Sequence, residues 1–241
     1  MTAVSGTVDA AAIAARWRQV RAEVDAAATA AGRAPADVTV VAVSKLHPAA
    51  AVGAAFDAGI RDVGENYAQE LVGKVAELGA AVPGLRWHYI GKLQRNKARA
   101  VVGVAALIHA VDGVELAVEI DRRAAAAGVV QDLLVAVNTG GEASKSGVEP
   151  GGAAALIDAI AALAHVRVRG LMTMPPWPDD PEDSRPHFRG LRELRDRLAR
   201  PALPLPELSM GTTGDYRVAI EEGATLVRVG TAIFGERPAR P

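Results

Sequence analysis

Lys45 stands directly after an apolar, β-branched run at 38–43, in the stretch Val-Ser-Lys-Leu-His-Pro over 43–48. An ammonium group is costly to bury without a partner, so a lysine there either snorkels to water or has chemistry to do. A partly desolvated lysine loses its proton more readily and can then form an imine with a carbonyl. Arg228 is the second such residue, inside Leu-Val-Arg-Val-Gly over 226–230, a run otherwise made for burial. Guanidinium keeps its proton and only donates, so an acceptor must meet it, whether in a structural ion pair or on a ligand. Two glycine- and hydroxyl-rich junctions complete the set, at 208–215 (Leu-Ser-Met-Gly-Thr-Thr-Gly-Asp) and 227–235 (Val-Arg-Val-Gly-Thr-Ala-Ile-Phe-Gly). Backbone N–H groups and hydroxyls where a strand passes into a helix suit an anion such as phosphate, although plain turns use the same residues.

Much other chemistry is excluded. The chain has no cysteine, which removes disulfides, a thiol nucleophile and thiolate metal sites, and fits a reducing compartment. The five histidines, at 47, 88, 109, 165 and 187, stand apart with no metal-ligand spacing, so no metal is expected. Glycine-rich dinucleotide and P-loop signatures, the zinc-protease helix and the nucleophile-elbow serine are all missing. With 27 basic against 28 acidic residues and a net charge of −1, the chain lacks the cation excess that nucleic acid demands. No apolar run is long enough for a membrane span and the first residues do not read as a secretion signal, so a cytoplasmic protein is expected.

The elements that must position Lys45 and Arg228 alternate along the 241 residues. Ile13, Trp17, Val20, Val24, Ala27 and Ala31 form one helical stripe, with Asp9 as N-cap and Gly32 as the stop. Strands are predicted at 38–43, 62–65, 87–90, 106–111, 133–138, 168–172, 207–209 and 226–229. Helices are predicted between them at 49–58, 67–79, 95–103, 113–126, 152–163, 184–199 and 214–222. Eight strands, each preceded by a helix, match a single (β/α)8 TIM barrel in which the opening helix closes the ring in place of a final one. A doubly wound open sheet is the alternative. In a barrel, Lys45 lies at the C-terminal mouth of the first strand, and the two glycine-rich junctions follow strands seven and eight, where barrels frequently bind phosphate. Five of the 14 prolines crowd into 175–186, an acidic loop after strand six that reads either as a lid or as a stiff structural loop.

Several longer motifs carry a resemblance. They are Ser-Lys at 44–45, Gly-Glu-Asn-Tyr-Ala-Gln-Glu at 64–70, Trp-His-Tyr-Ile-Gly-Lys-Leu-Gln-Arg-Asn-Lys at 87–97, Ser-Lys-Ser-Gly at 144–147, Gly-Leu-Met-Thr-Met at 170–174, Leu-Ser-Met-Gly at 208–211, and 227–235. Together they resemble the pyridoxal phosphate homeostasis protein family over nearly the whole chain. The resemblance implies a fold-type III barrel like the N-terminal domain of alanine racemase, spanning 9–235, with short tails at 1–8 and 236–241 and no second domain. It implies pyridoxal 5'-phosphate held as an aldimine on Lys45. Asn66 would line the ring, Ser209, Thr213, Gly230 and Thr231 would hold the phosphate, and Arg228 would face the pyridine nitrogen. One departure stands out: the family usually reads Ser-Met-Gly-Met-Ser where this chain has Ser-Met-Gly-Thr-Thr, so Thr213 keeps a hydroxyl and Thr212 is polar in place of methionine.

An arginine at the pyridine nitrogen only donates, so it favours the unprotonated nitrogen and weakens the ring as an electron sink. The implied function is therefore vitamin B6 homeostasis, in which pyridoxal phosphate is bound, buffered and handed to apoenzymes. The alternatives are an amino-acid racemase that borrows Tyr67, Tyr89 or Tyr216 as its missing tyrosine, and a Schiff-base aldolase. Lys145, between two serines after strand five, is either a solvated loop lysine or a second amine that accepts the aldehyde during hand-over.

Overall fold

Short apolar runs become strands and the amphipathic stretches between them become helices, in strict alternation. In the computed structural model, which describes residues 8–141 and 146–237, the chain opens with α1 (Ala10–Ala30), then β1 (Thr39–Val43), α2 (Ala49–Asp57), β2 (Asp62–Glu65), α3 (Ala68–Leu78) and β3 (Arg86–Tyr89). It continues through α4 (Ala98–Val101), β4 (Leu107–Val111), α5 (Val114–Ala127), β5 (Gln131–Ala136), α6 (Ala153–Ala161) and β6 (Val166–Met172). It ends with α7 (Arg185–Leu198), β7 (Glu207–Thr212), α8 (Tyr216–Glu221), β8 (Leu226–Val229) and α9 (Thr231–Phe234). All eight strands run parallel, each beside the next, and β8 returns to β1 to close the barrel. The open-sheet alternative is thereby removed.

The local signals act as anticipated at the start of the chain. Asp9 caps α1 by accepting from the Ala12 N–H at 2.9 Å, and Gly32 takes a left-handed φ of 70° just past its end. Two elements differ from expectation. The stretch 95–103 is a 3₁₀ turn (Arg95–Lys97) leading into the single turn of α4, because Gly103 at φ 78° stops the helix there. A short α9, not foreseen, follows β8; α1 packs against α2, α8 and α9, so the opening helix shares the closing place in the outer ring with this last turn.

Strand periodicity divides the core in two. On β8, Val227 and Val229 face the helices, where they join Val20, Val24, Val52, Leu71 and Ile233 in the main core. Leu226 packs instead inside the barrel with Val41, Leu107, Leu134 and Met172. Each such burial stabilises by roughly 1.5–3 kcal/mol, so the outer layer holds the barrel rigid around whatever its interior contains. The same period that sends Leu226 inward sends Arg228 inward, and that is how a cation comes to lie under the barrel mouth.

Candidate functional site

The C-terminal ends of the strands open onto a cavity of about 570 Å³, within the size range of small-molecule sites. Its wall includes Lys45, Asn66, Thr213, Arg228, Gly230 and Thr231, which is every expected site residue except Ser209.

Lys45 lies one residue beyond Ser44, and its neighbours are tied down on both sides. The buried Ser44 donates its N–H to the Gly64 carbonyl at 3.1 Å and hydrogen-bonds the Glu65 carboxylate through its hydroxyl. Its carbonyl accepts from Lys74 Nζ at 2.8 Å, and Lys74 pairs with Glu65 at 2.5 Å. Leu46, in the left-handed region at φ 67°, gives its N–H to Glu70 at 2.7 Å. Lys45 itself is half-buried. Burial pushes its pKa down and the Arg237 charge adds to this, against the opposing pull of Glu65 and Glu70. A lysine so placed has a larger share of neutral, nucleophilic amine than an exposed one.

Arg228 is 5% exposed and meets neutral oxygens, giving one Nη1 hydrogen to Ser209 Oγ at 2.5 Å and one Nη2 hydrogen to the Thr173 carbonyl at 2.9 Å. Burial lowers its pKa to about 10 against the attraction of Asp215, so it remains a cation at neutral pH. Ser209 is fully buried behind this arginine, between Arg228 and His109, and does not line the cavity. The structure thus places it apart from the residues expected to hold phosphate beside it, because residue 209 shares the inward period of β7 while the chain turns only afterwards. Gly211 makes that turn at φ 88°, where a Cβ would stand 2.6 Å from the Ala219 Cβ. The β7–β8 register shifts between Ser209 and Thr212, which brings Thr213 up to the mouth.

There the Gly230 N–H donates to Thr213 Oγ1 at 3.3 Å, joining the loops after β7 and β8 beside Thr231. Thr212 uses its polarity locally: its N–H and hydroxyl both donate to Asp215 Oδ1, at 2.7 and 3.1 Å, and Asp215 also accepts from Ser184. Asn66 has a buried side-chain oxygen with no hydrogen-bond partner among the described residues, on the cavity wall. A Cβ on Gly91 would collide with the Asn66 carbonyl, so only glycine lets the loop after β3 close against residue 66.

Some of the wall was not read from the sequence. Met174, Pro176 and Trp177 from the proline-rich loop border the opening, with Trp177 76% exposed, and Lys92 and Arg237 line it as well. The proline cluster was the available signal for the loop; Arg237 carried none. The histidines described as standing apart in sequence do not all do so in space, since His88 Nδ1 and His109 Nε2 are 2.9 Å apart on adjacent strands. Of the tyrosines weighed as a catalytic group, Tyr89 donates to the Lys92 carbonyl and Tyr216 to Glu23 of α1, and neither they nor Tyr67 line the cavity. Lys145 lies outside the described residues. Among those described, no cluster of three or more His, Asp or Glu is placed to hold a metal ion, and no helix is long and apolar enough to cross a membrane.

Residues 8–238 match the family described as alanine racemase, N-terminal domain. The chain is 44% identical over 223 residues to the pyridoxal phosphate homeostasis protein of Aquifex aeolicus, covering 92% of this chain and 97% of that one. It is 45% identical over 225 residues to the protein of the same name from Pseudomonas aeruginosa, covering 93% and 96%. Among solved structures, PipY of Synechococcus elongatus superposes with a TM-score of 0.83 without pyridoxal phosphate and 0.79 with it bound, at 39% and 37% identity, covering 92% of this chain and all of that one in both cases. Alanine racemase from Corynebacterium glutamicum shares the fold, with a TM-score of 0.69 at 16% identity over 97% of this chain and 63% of its own.

Proposed function

Because this chain belongs to the pyridoxal phosphate homeostasis protein family, we propose that it binds pyridoxal 5'-phosphate covalently through Lys45 and serves to hold and hand over that cofactor. One observation carries the reading: a half-buried lysine with a depressed pKa lines the same cavity as the Arg228 cation and the joined Thr213–Gly230 loops.

The residues present fit the group. An aldehyde needs an amine, a pyridine nitrogen needs a donor, and a phosphate needs hydroxyls and N–H groups, and the cavity offers all three. The Asn66 side-chain oxygen on the same wall, without a hydrogen-bond partner among the described residues, is what a site for a polar ring substituent would leave. When bound, the cofactor supplies an electrophilic carbonyl and an electron-withdrawing ring. Lys45 provides the attaching amine, Thr213, Gly230 and Thr231 hold the phosphate, Asn66 lines the ring, and Arg228 donates to the ring nitrogen. Ser209 acts from behind Arg228.

Binding without efficient turnover follows from two features. Arg228 cannot accept, so it leaves the ring nitrogen unprotonated and the ring a poor sink. The tyrosine that a racemase needs is not supplied by Tyr67, Tyr89 or Tyr216, which lie off the cavity. We assign the residues that hold the cofactor to one barrel over 9–235, with PLP-dependent apoenzymes as the recipients.

The test is spectroscopic. Protein loaded with pyridoxal phosphate should show a visible absorption band that borohydride abolishes, with the label on the Lys45 peptide by mass spectrometry. Lys45→Ala should fold normally and lack the band. A band that survives in that variant, or a label elsewhere, overturns the assignment. Saturable α-proton exchange of amino acids in deuterated water at enzymatic rates would replace the binding function with catalysis.

A further inference from the structure

A buried polar chain runs through the barrel interior away from the cavity. Arg228 Nη1 meets Ser209 Oγ at 2.5 Å; His109 Nδ1 lies 2.9 Å from the same oxygen; His109 Nε2 lies 2.9 Å from His88 Nδ1; and His88 Nε2 lies 2.9 Å from Asp62 Oδ1. All five side chains are buried, and they come from β8, β7, β4, β3 and β2. Asp62 ends the chain and is also gripped by Arg86 through two bonds of 2.6 Å at the opposite end of the barrel.

The hydrogens in this chain can be counted. Guanidinium only donates, so Ser209 accepts from Arg228. Burial pushes the Asp62 carboxyl up, but hydrogen bonds from His88 and Arg86 outweigh it and hold the carboxyl below its ordinary value, so Asp62 only accepts. His88 therefore donates from Nε2. Burial, with the nearby His88 and Arg228, pushes His109 well below the ordinary histidine value, so it carries one hydrogen. If that hydrogen is on Nε2 it goes to His88, and Ser209 gives its hydroxyl hydrogen to His109 Nδ1; every hydrogen is then used once. The reverse assignment requires a second cation at His88 and leaves the Ser209 hydroxyl hydrogen without a place in the chain.

We propose that Ser209, His109 and His88 are positioning residues, forming a one-way hydrogen-bond chain from Arg228 to the Asp62 carboxylate that fixes the guanidinium for the ring nitrogen of the cofactor. With its hydroxyl hydrogen committed to His109, Ser209 presents only its oxygen to Arg228. Nη1 is held there and Nη2 on the Thr173 carbonyl, so both ends of the fork are set and its plane cannot turn away from the cavity. Its role for the ring nitrogen rests on the pyridoxal phosphate reading; the direction of the chain does not.

Two experiments test it. In cofactor-free, ¹⁵N-histidine-labelled protein, imidazole correlation spectra should place the single His109 proton on Nε2 and show the Nε2 of His88 protonated toward Asp62. An Nδ1 proton on His109 overturns the one-way chain. Affinity is then compared for pyridoxal phosphate and its 1-deaza analogue, in which C–H replaces the ring nitrogen. His109→Leu should reduce the preference for pyridoxal phosphate by about five- to tenfold, as one lost hydrogen bond of support allows. His109→Gln, whose amide can donate to His88 and accept from Ser209, should keep it within about twofold. Equal preference in wild type and His109→Leu overturns the positioning role. Failure of the covalent reading would appear separately, as a wild-type protein with no labelled Lys45.

Discussion

Of the five lysines in the chain, Lys45 is half-buried on the cavity wall. Only the neutral amine attacks a carbonyl, and burial lowers the Lys45 pKa from its ordinary 10.5, so attachment of the cofactor should reach half its maximal rate below that pH. Arg237 contributes to the lowering, so Arg237→Ala should move the midpoint upward, read from stopped-flow rates of band formation across pH. A midpoint at the ordinary lysine value, or one indifferent to residue 237, would contradict this placement of the charges. At the other end of the proposed ligand, Thr231→Ala removes a hydroxyl from the part of the cavity wall proposed to hold the phosphate. A hydrogen bond to a charged acceptor is worth about 1.5–3 kcal/mol, so affinity for pyridoxal phosphate should fall about tenfold or more while affinity for unphosphorylated pyridoxal barely changes. Titrations with both ligands check it; equal losses would place the phosphate elsewhere.

The strand exit that presents Lys45 is held by another element. Lys74, on α3, reaches across to the Ser44 carbonyl and the Glu65 carboxylate, and both charged side chains are almost fully withdrawn from water. Removing one member of a buried pair leaves the other uncompensated, which costs about 3–5 kcal/mol, whereas replacing both with apolar groups is often neutral. Lys74→Met should therefore destabilise the barrel by about that much, and Lys74→Met combined with Glu65→Leu should recover most of it. Denaturant unfolding measures both. A double variant that costs more than Lys74→Met alone would mean that the Glu65 carboxylate is tolerated without its partner, contrary to the coupling argued here. In contrast, the loop after β6 carries its prolines to the rim of the cavity, where their stiffness sets Trp177 beside Gly214 without a helix to support it.

At the scale of the molecule, the ring of helices is closed by α1 lying against α8. Tyr216 and Arg217 of α8 both bind Glu23 of α1, the arginine at 2.8 Å. The Tyr216, Arg217 and Gln19 hydrogen bonds hold the Glu23 carboxyl at about 2, down from 4.5. A group whose pKa is lower when folded stabilises the fold above its unfolded value and loses that contribution as the pH falls through the folded one. The closure should thus be at full strength above about pH 4.5 and fade toward pH 2. Thermal unfolding followed by circular dichroism should show that Glu23→Gln lowers the melting temperature at pH 7 and flattens its decline between those limits. A variant that declines as steeply as wild type would assign the acid sensitivity to other carboxylates.

The alternation of β-branched runs with amphipathic stretches was enough to predict eight strands and to favour a barrel over a doubly wound open sheet, because period and length are local properties that the chain carries in itself; closure itself came from the structure. Lys45, Arg228 and the loops holding Thr213, Gly230 and Thr231 were legible for the same reason: each is a charged or flexible residue at odds with the apolar run beside it. What the tertiary structure decided was every relation between distant strands. Ser209 reads like Thr213, but the register shift between Ser209 and Thr212 leaves one inside the barrel and the other at the mouth. Lys74 and Glu65 are nine residues apart with no periodic signal of contact. His88 and His109 look isolated until β3 and β4 pair and their shared inward period brings the rings together. Such pairings depend on register and barrel closure, which are fixed by the packing of the whole and leave no mark on a single stretch of sequence.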